Sequence, residues 1–126
     1  MFTYENAYRK SLRYFKGDPL AANVFVTKYA LSNSEGEYLE ESPEDMHHRL
    51  AREFSRIEEK YPNPMSESEI FSLFENFKYI IPQGSPMSGI GNSEQVQSIS
   101  NCFVVESPYD SYGGILKTDQ ELVQIA

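Results

Sequence analysis

The chain has no tryptophan, two histidines and a single cysteine among its 126 residues. One cysteine cannot close an internal disulfide, which excludes the cross-linked scaffold of a small secreted domain. Basic residues are also scarce: 11 Lys and Arg stand against 19 Asp and Glu, for a net charge of −8. That balance argues against a nucleic-acid backbone or an anionic membrane as partner. The nearest approach to a basic cluster, Arg9, Lys10, Arg13 and Lys16, falls on one helical segment and reads as its solvated face. No apolar run approaches the roughly 18 residues that span a bilayer, and the N-terminus lacks signal-peptide architecture, so the cytoplasm is the default compartment. No internal repeat or low-complexity tract is present. What is there suits a folded chain: 40% hydrophobic and 13% aromatic residues exclude a disordered one. Its length is that of one ordinary domain, able to bury roughly two thirds of its unfolded surface.

The first half reads as helix after helix. Tyr4, Tyr8, Leu12 and Phe15 make a stripe on a helix over 4–16, stopped by Gly17 and Pro19. Leu20, Ala21, Val24, Phe25 and Tyr29 suit a second helix over 20–31, apolar around much of its circumference and so expected to pack on several sides. A polar loop follows, and six acids without a base between 35 and 45 read as a solvated connector. Those carboxylates lack the alternation and central Gly of a calcium loop. A helix over 43–61 is the best signalled: Ser42 caps it, Pro43 fits its first turn, and Glu44 and Asp45 oppose the dipole. Met46, Leu50, Phe54 and Ile57 form its buried stripe. His47 and His48 project about 100° apart and cannot chelate as an i, i+4 pair would, so they read as surface or packing residues. Pro62-Asn63-Pro64 stops that helix, and Ser66 to Glu69 opens another with Ile70, Leu73, Phe74 and Phe77 inward.

After Phe77 the character changes. A Gly/Ser/Pro-rich loop over 82–92 leads to an alternating run, Gln97 to Val105, that predicts a mostly buried strand carrying Cys102. A second turn, 107–114, introduces an amphipathic helix that reaches Ala126 with no residue to stop it. The expectation is that the polypeptide, or a functional partner, continues there. Cys102 itself has two readings. It is an inert core cysteine, or it is a thiol at a small-molecule site flanked by loops rich in backbone donors.

Several separated motifs then match one family in the right order. Tyr14-Phe15-Lys16-Gly17-Asp18-Pro19-Leu20-Ala21-Ala22-Asn23-Val24-Phe25, Lys28 to Leu31, Ser42-Pro43-Glu44-Asp45-Met46 and Arg49 resemble the helical N-terminal region of the ribonucleotide reductase large, catalytic subunit. Ser85-Pro86-Met87-Ser88-Gly89, then Ser100-Asn101-Cys102-Phe103, then Asp110-Ser111 resemble the start of that family's ten-stranded α/β barrel. The resemblance implies an α/β chain: a helical domain over 1–78, then over 79–126 the phosphate loop, first strand, effector turn and helix of an incomplete barrel.

It also implies chemistry. Cys102 takes the place of a redox thiol on the first barrel strand, which reduces the ribose of a ribonucleotide and closes a disulfide with a thiol on a distant strand. Ser85 matches a substrate-phosphate contact, and Asn101 stands where a Ser commonly precedes the cysteine, leaving a backbone contact to substrate. Asp110, Ser111 and Tyr112 fall at the site that binds a deoxynucleotide or ATP effector, although Asp110-Ser111 also reads as a simple helix cap. The radical-bearing cysteine, its glutamate and asparagine partners, and the remaining thiols are not in this chain. The remainder of the catalytic subunit is therefore an implied partner, as is a radical source: a metal-containing small subunit or adenosylcobalamin, neither bound here. Nothing precedes the helices that matches an ATP-binding regulatory domain, so inhibition by dATP through one is not expected. A rival reading is a non-catalytic acidic helical module whose strand edge pairs with a partner. An independent cysteine enzyme is a weaker third, for no base lies near Cys102 in sequence.

Overall fold

The computed structural model describes residues 1–125. Six α-helices run in chain order: α1 (Tyr4–Tyr14), α2 (Pro19–Lys28), α3 (Pro43–Glu58), α4 (Glu67–Phe74), α5 (Gly84–Gly89) and α6 (Tyr112–Ile125), with a 3₁₀ turn at Glu75–Phe77. Local chemistry sets the helix starts. The Asp18 carboxylate accepts from the N–H groups of Leu20 and Ala21 at 2.9 and 3.0 Å, with Pro19 in the first turn of α2. At α3 the Asp45 carboxylate accepts from the N–H groups of Glu41 and Ser42. At α4, Ser66 and Glu69 cap one another's N–H groups.

α1 packs on α2 and α3 on α4, around Ala7, Phe25, Val26, Met46, Leu50, Ala51, Ile70 and Phe74. Full burial of a side chain such as Met46 or Leu50 contributes about 1.5–3 kcal/mol. The expected stripe of α1 is displaced by one residue, about 100° around the helix. Ala7 and Ser11 are its buried residues, while Tyr4 is exposed and Tyr8, Leu12 and Phe15 are half-buried. Small side chains let the helix approach closely, and Ser11 Oγ donates to the Glu41 carbonyl at 3.1 Å. α2 is not apolar-packed all round either, since Leu20 faces solvent.

Three further expectations are corrected. The acidic stretch 35–45 is not simply solvated: Glu40 is buried, accepts from Leu31 N–H and pairs with Arg49, and Glu41 pairs with Lys10. The 82–92 loop contains a helix, α5, whose Met87 and neighbouring Ile90 pack on the core. The strand over 97–105 does not form. Among the described residues there is no strand, only isolated bridges between Phe2 and Tyr38 and between Ser32 and Tyr38. The chain seen here is therefore helical rather than α/β, and the barrel is not visible in it. The alternation was real, but a ladder needs a neighbouring strand to accept its hydrogen bonds, and none is present.

Candidate functional site

α5 is short, glycine-bounded and fixed at both ends. Arg49 of α3 holds its C-terminal end: Nη2 donates to the Met87 carbonyl at 2.8 Å and Nη1 to the Ile90 carbonyl. The Glu40 carboxylate, 2.7 Å from Arg49 Nε, neutralises the guanidinium in this nearly dry position. Sequence reasoning recorded Arg49 only as part of a motif and missed this clamp. The available signal was the first Arg of α3, close behind an acid-rich loop.

The N-terminal end of α5 carries the residues the sequence singled out. Ser85 donates twice to Asn101 Oδ1, through its N–H at 2.9 Å and its hydroxyl at 2.5 Å. Asn101 Nδ2 donates to Gln83 Oε1 at 2.7 Å. A third link lies one turn along, where Gln97 Nε2 donates to Ser88 Oγ at 3.1 Å. The extended segment thus crosses the small-residue face of α5. A Cβ on Gly89 would come within 2.8 Å of Gln97 Nε2 and 3.2 Å of Ile99 Cγ2, so the two side chains cross closely over this glycine. Ser85 and Asn101, sixteen residues apart, are brought together, and Cys102 follows directly.

Cys102 is a free, exposed thiol, not the buried core cysteine that its pattern permitted. No histidine serves it: His47 is buried among Phe74, Phe77 and Tyr14, and His48 stacks on Phe71 at 4.1 Å, both as packing residues. Among the described residues no three His, Cys, Asp or Glu side chains converge on a metal-sized point.

Asp110, Ser111 and Tyr112 lie apart from this cluster, and no hydrogen bond among the described residues joins them to α5. Ser111 caps α6, accepting from Gly114 N–H at 3.0 Å through its hydroxyl, and its own N–H donates to the Tyr109 carbonyl at 2.7 Å. A Cβ on Gly114 would meet that carbonyl oxygen at 2.6 Å, so the turn requires glycine. Asp110 and Tyr112 are exposed, with Tyr112 wholly available for a stacking contact.

Chemically, the α5 terminus offers an N–H and a hydroxyl aimed at one oxygen. Asn101 Oδ1 occupies that position, so an anionic oxygen binds there only by displacing the carboxamide. Beside it, an apolar groove of about 250 Å³ opens between α3, α4 and α5, lined by Leu50, Phe54, Leu73, Phe74, Ile80 and Ile90 among others. No α-helix among the described residues is long and apolar enough to cross a membrane.

Comparison with known proteins gives one family: residues 15–91 match the family described as "Ribonucleotide reductase, all-alpha domain". No curated protein and no solved structure matches the chain significantly.

Proposed function

The chain belongs to the ribonucleotide reductase all-alpha domain family, as an N-terminal portion of the large subunit, and from that membership we propose that it supplies a redox thiol and a phosphate contact to a reductase barrel completed by another polypeptide segment. The observation that supports this reading is the Ser85–Asn101 pairing, which brings the residue before Cys102 onto the N-terminal end of α5. In this division, residues 1–78 form the helical platform and residues 79–126 contribute the barrel's first elements.

The chemistry is a two-electron reduction of ribose. A radical on a cysteine outside this chain takes the 3′-hydrogen, and the 2′-hydroxyl then departs as water after accepting the Cys102 proton. Cys102 and a second thiol from the completed barrel each give up one electron and close a disulfide, the hydrogen of the second thiol goes to C2′, and the 3′-hydrogen is then returned. The radical source, a metal-containing small subunit or adenosylcobalamin, supplies the unpaired electron and is not held by this chain. Ser85 orients the substrate phosphate once Asn101 has yielded its place. Asp110, Ser111 and Tyr112 hold a deoxynucleotide or ATP effector, with the carboxylate accepting from the sugar hydroxyl and the tyrosine ring stacking on the base.

The test is complementation. The chain mixed with a polypeptide bearing the remaining barrel strands and a radical source converts ribonucleotide to deoxyribonucleotide, and the Cys102→Ser chain does not. Undiminished product from the serine variant removes Cys102 from the reaction. A second reading, an acidic interaction module without catalysis, is favoured by the wholly exposed Val96 and Val104. It predicts assembly with a partner but no binding of deoxynucleotides at the Asp110 turn.

A further inference from the structure

Residues 96–108 make no backbone hydrogen bond to the helical body among the described residues. Their only hydrogen bonds to that body run through two side chains, Gln97 to Ser88 and Asn101 to Ser85 and Gln83. Asn101 makes three of the four. Its carboxamide is matched to the place: the oxygen takes two donors from Ser85, while the nitrogen reaches an acceptor on Gln83. A serine at this position, too short to span both and bearing one proton, could not close the same pair. The glycine at 89 shows that the crossing is a close one, since any side chain there meets Gln97 and Ile99. Asn101 is also covalently next to Cys102, so whatever fixes its side chain fixes the backbone that carries the thiol.

We propose that Asn101 is the positioning residue for Cys102. It acts as a latch that seats the thiol-bearing segment on α5 through Ser85 and Gln83, in place of a sheet neighbour. The residue before the thiol is thereby held on Ser85 before any other strand arrives. This rests on the reading of Cys102 as the redox thiol for its purpose, but the latch itself is a property of the chain alone. An oxygen that takes over both Ser85 donors releases Asn101, so occupancy of Ser85 by another oxygen and latching of the Cys102 segment are exclusive.

The single cysteine makes the test direct, because a nitroxide spin label attaches to Cys102 of the intact chain with no other change. In the unsubstituted protein the label's spectrum is dominated by an immobilised component. Asn101→Ala, which removes three hydrogen bonds, lowers the ratio of immobilised to mobile label by about fivefold or more. Asn101→Asp retains the acceptor for Ser85 and keeps most of the immobilised component. Ser85→Ala gives an intermediate spectrum and guards against a folding defect in the alanine variant, with helix content by circular dichroism unchanged in all. A spectrum already mobile in the unsubstituted chain, or one indifferent to both Asn101→Ala and Ser85→Ala, overturns the latch. Loss of reductase activity in the complementation assay is a separate matter: an immobilised label beside an inactive Cys102 leaves the latch standing and removes the redox reading.

Discussion

His47 shows how a single residue ties sequence to stability. Its ring is wholly buried, edge-on to Phe77 at 4.6 Å, and neither nitrogen has a hydrogen-bond partner. Burial, and after it the charge of His48, push its pKa down from 6.5 to about 4. The folded pKa lies below the unfolded one, so the unfolded chain binds the extra proton first. The stabilisation is complete above the unfolded value, declines as pH falls below it, and is lost once pH has passed through the folded value. A shift of this size is worth roughly 3 kcal/mol. Glu53 and Glu69, held low by hydrogen bonds from Arg56 and Ser66, also lose support in acid. Comparison with His47→Leu isolates the histidine: between pH 7 and about pH 4.5 the unsubstituted protein should lose ~2 kcal/mol more in urea unfolding than the variant. Parallel pH curves would show that His47 is not held neutral by burial. The sequence read His47 as a surface or packing residue, while its full burial without partners depended on neighbours brought from α1 and the 3₁₀ turn.

At the scale of elements, what was legible followed from how local the cause was. Caps and apolar spacing lie within one segment, so α1 to α4 and α6 could be read from residues such as Gly17, Ser42 and Ser66. α5 could not: Gly84-Ser85-Pro86-Met87-Ser88-Gly89 has loop composition, and it is helical because Arg49, far back in the chain, holds its last carbonyls. The run over 97–105 failed in the opposite sense. Its alternation is that of a strand, but pairing is non-local and the partner is missing, so the segment lies extended with Val104 bare to solvent. Of the candidate site, Ser85 and Asn101 were found from sequence and their contact was not, because it depends on the crossing over Gly89. Hydrogen exchange reads this state directly. Amides of 96–108 should exchange near the free-chain rate in the isolated protein, whereas α3 is protected. Addition of the remaining barrel strands should then slow alternate amides of 97–105. Protection of that run in the isolated chain would mean that a ladder already exists.

Among the described residues, α1 to α5 form a helical body, and the arm that follows leaves much of its apolar surface uncovered. Ile99, Phe103, Ile115, Leu116, Leu122 and Val123 are all exposed, and α6 buries no residue. Exposed apolar side chains in this number mark a surface that other protein can cover, as a domain contributing its first elements to a larger barrel would present. The acidic charge keeps such a surface soluble while it is uncovered. The central claim, that Cys102 gives electrons to a ribose inside that assembly, is tested most directly by the state of its sulfur after one turnover without added reductant. Alkylation and mass spectrometry of the assembled enzyme should find Cys102 shielded and disulfide-linked to a cysteine of the completing segment, in proportion to the deoxyribonucleotide formed. Product formation with Cys102 still a free, alkylatable thiol would contradict it.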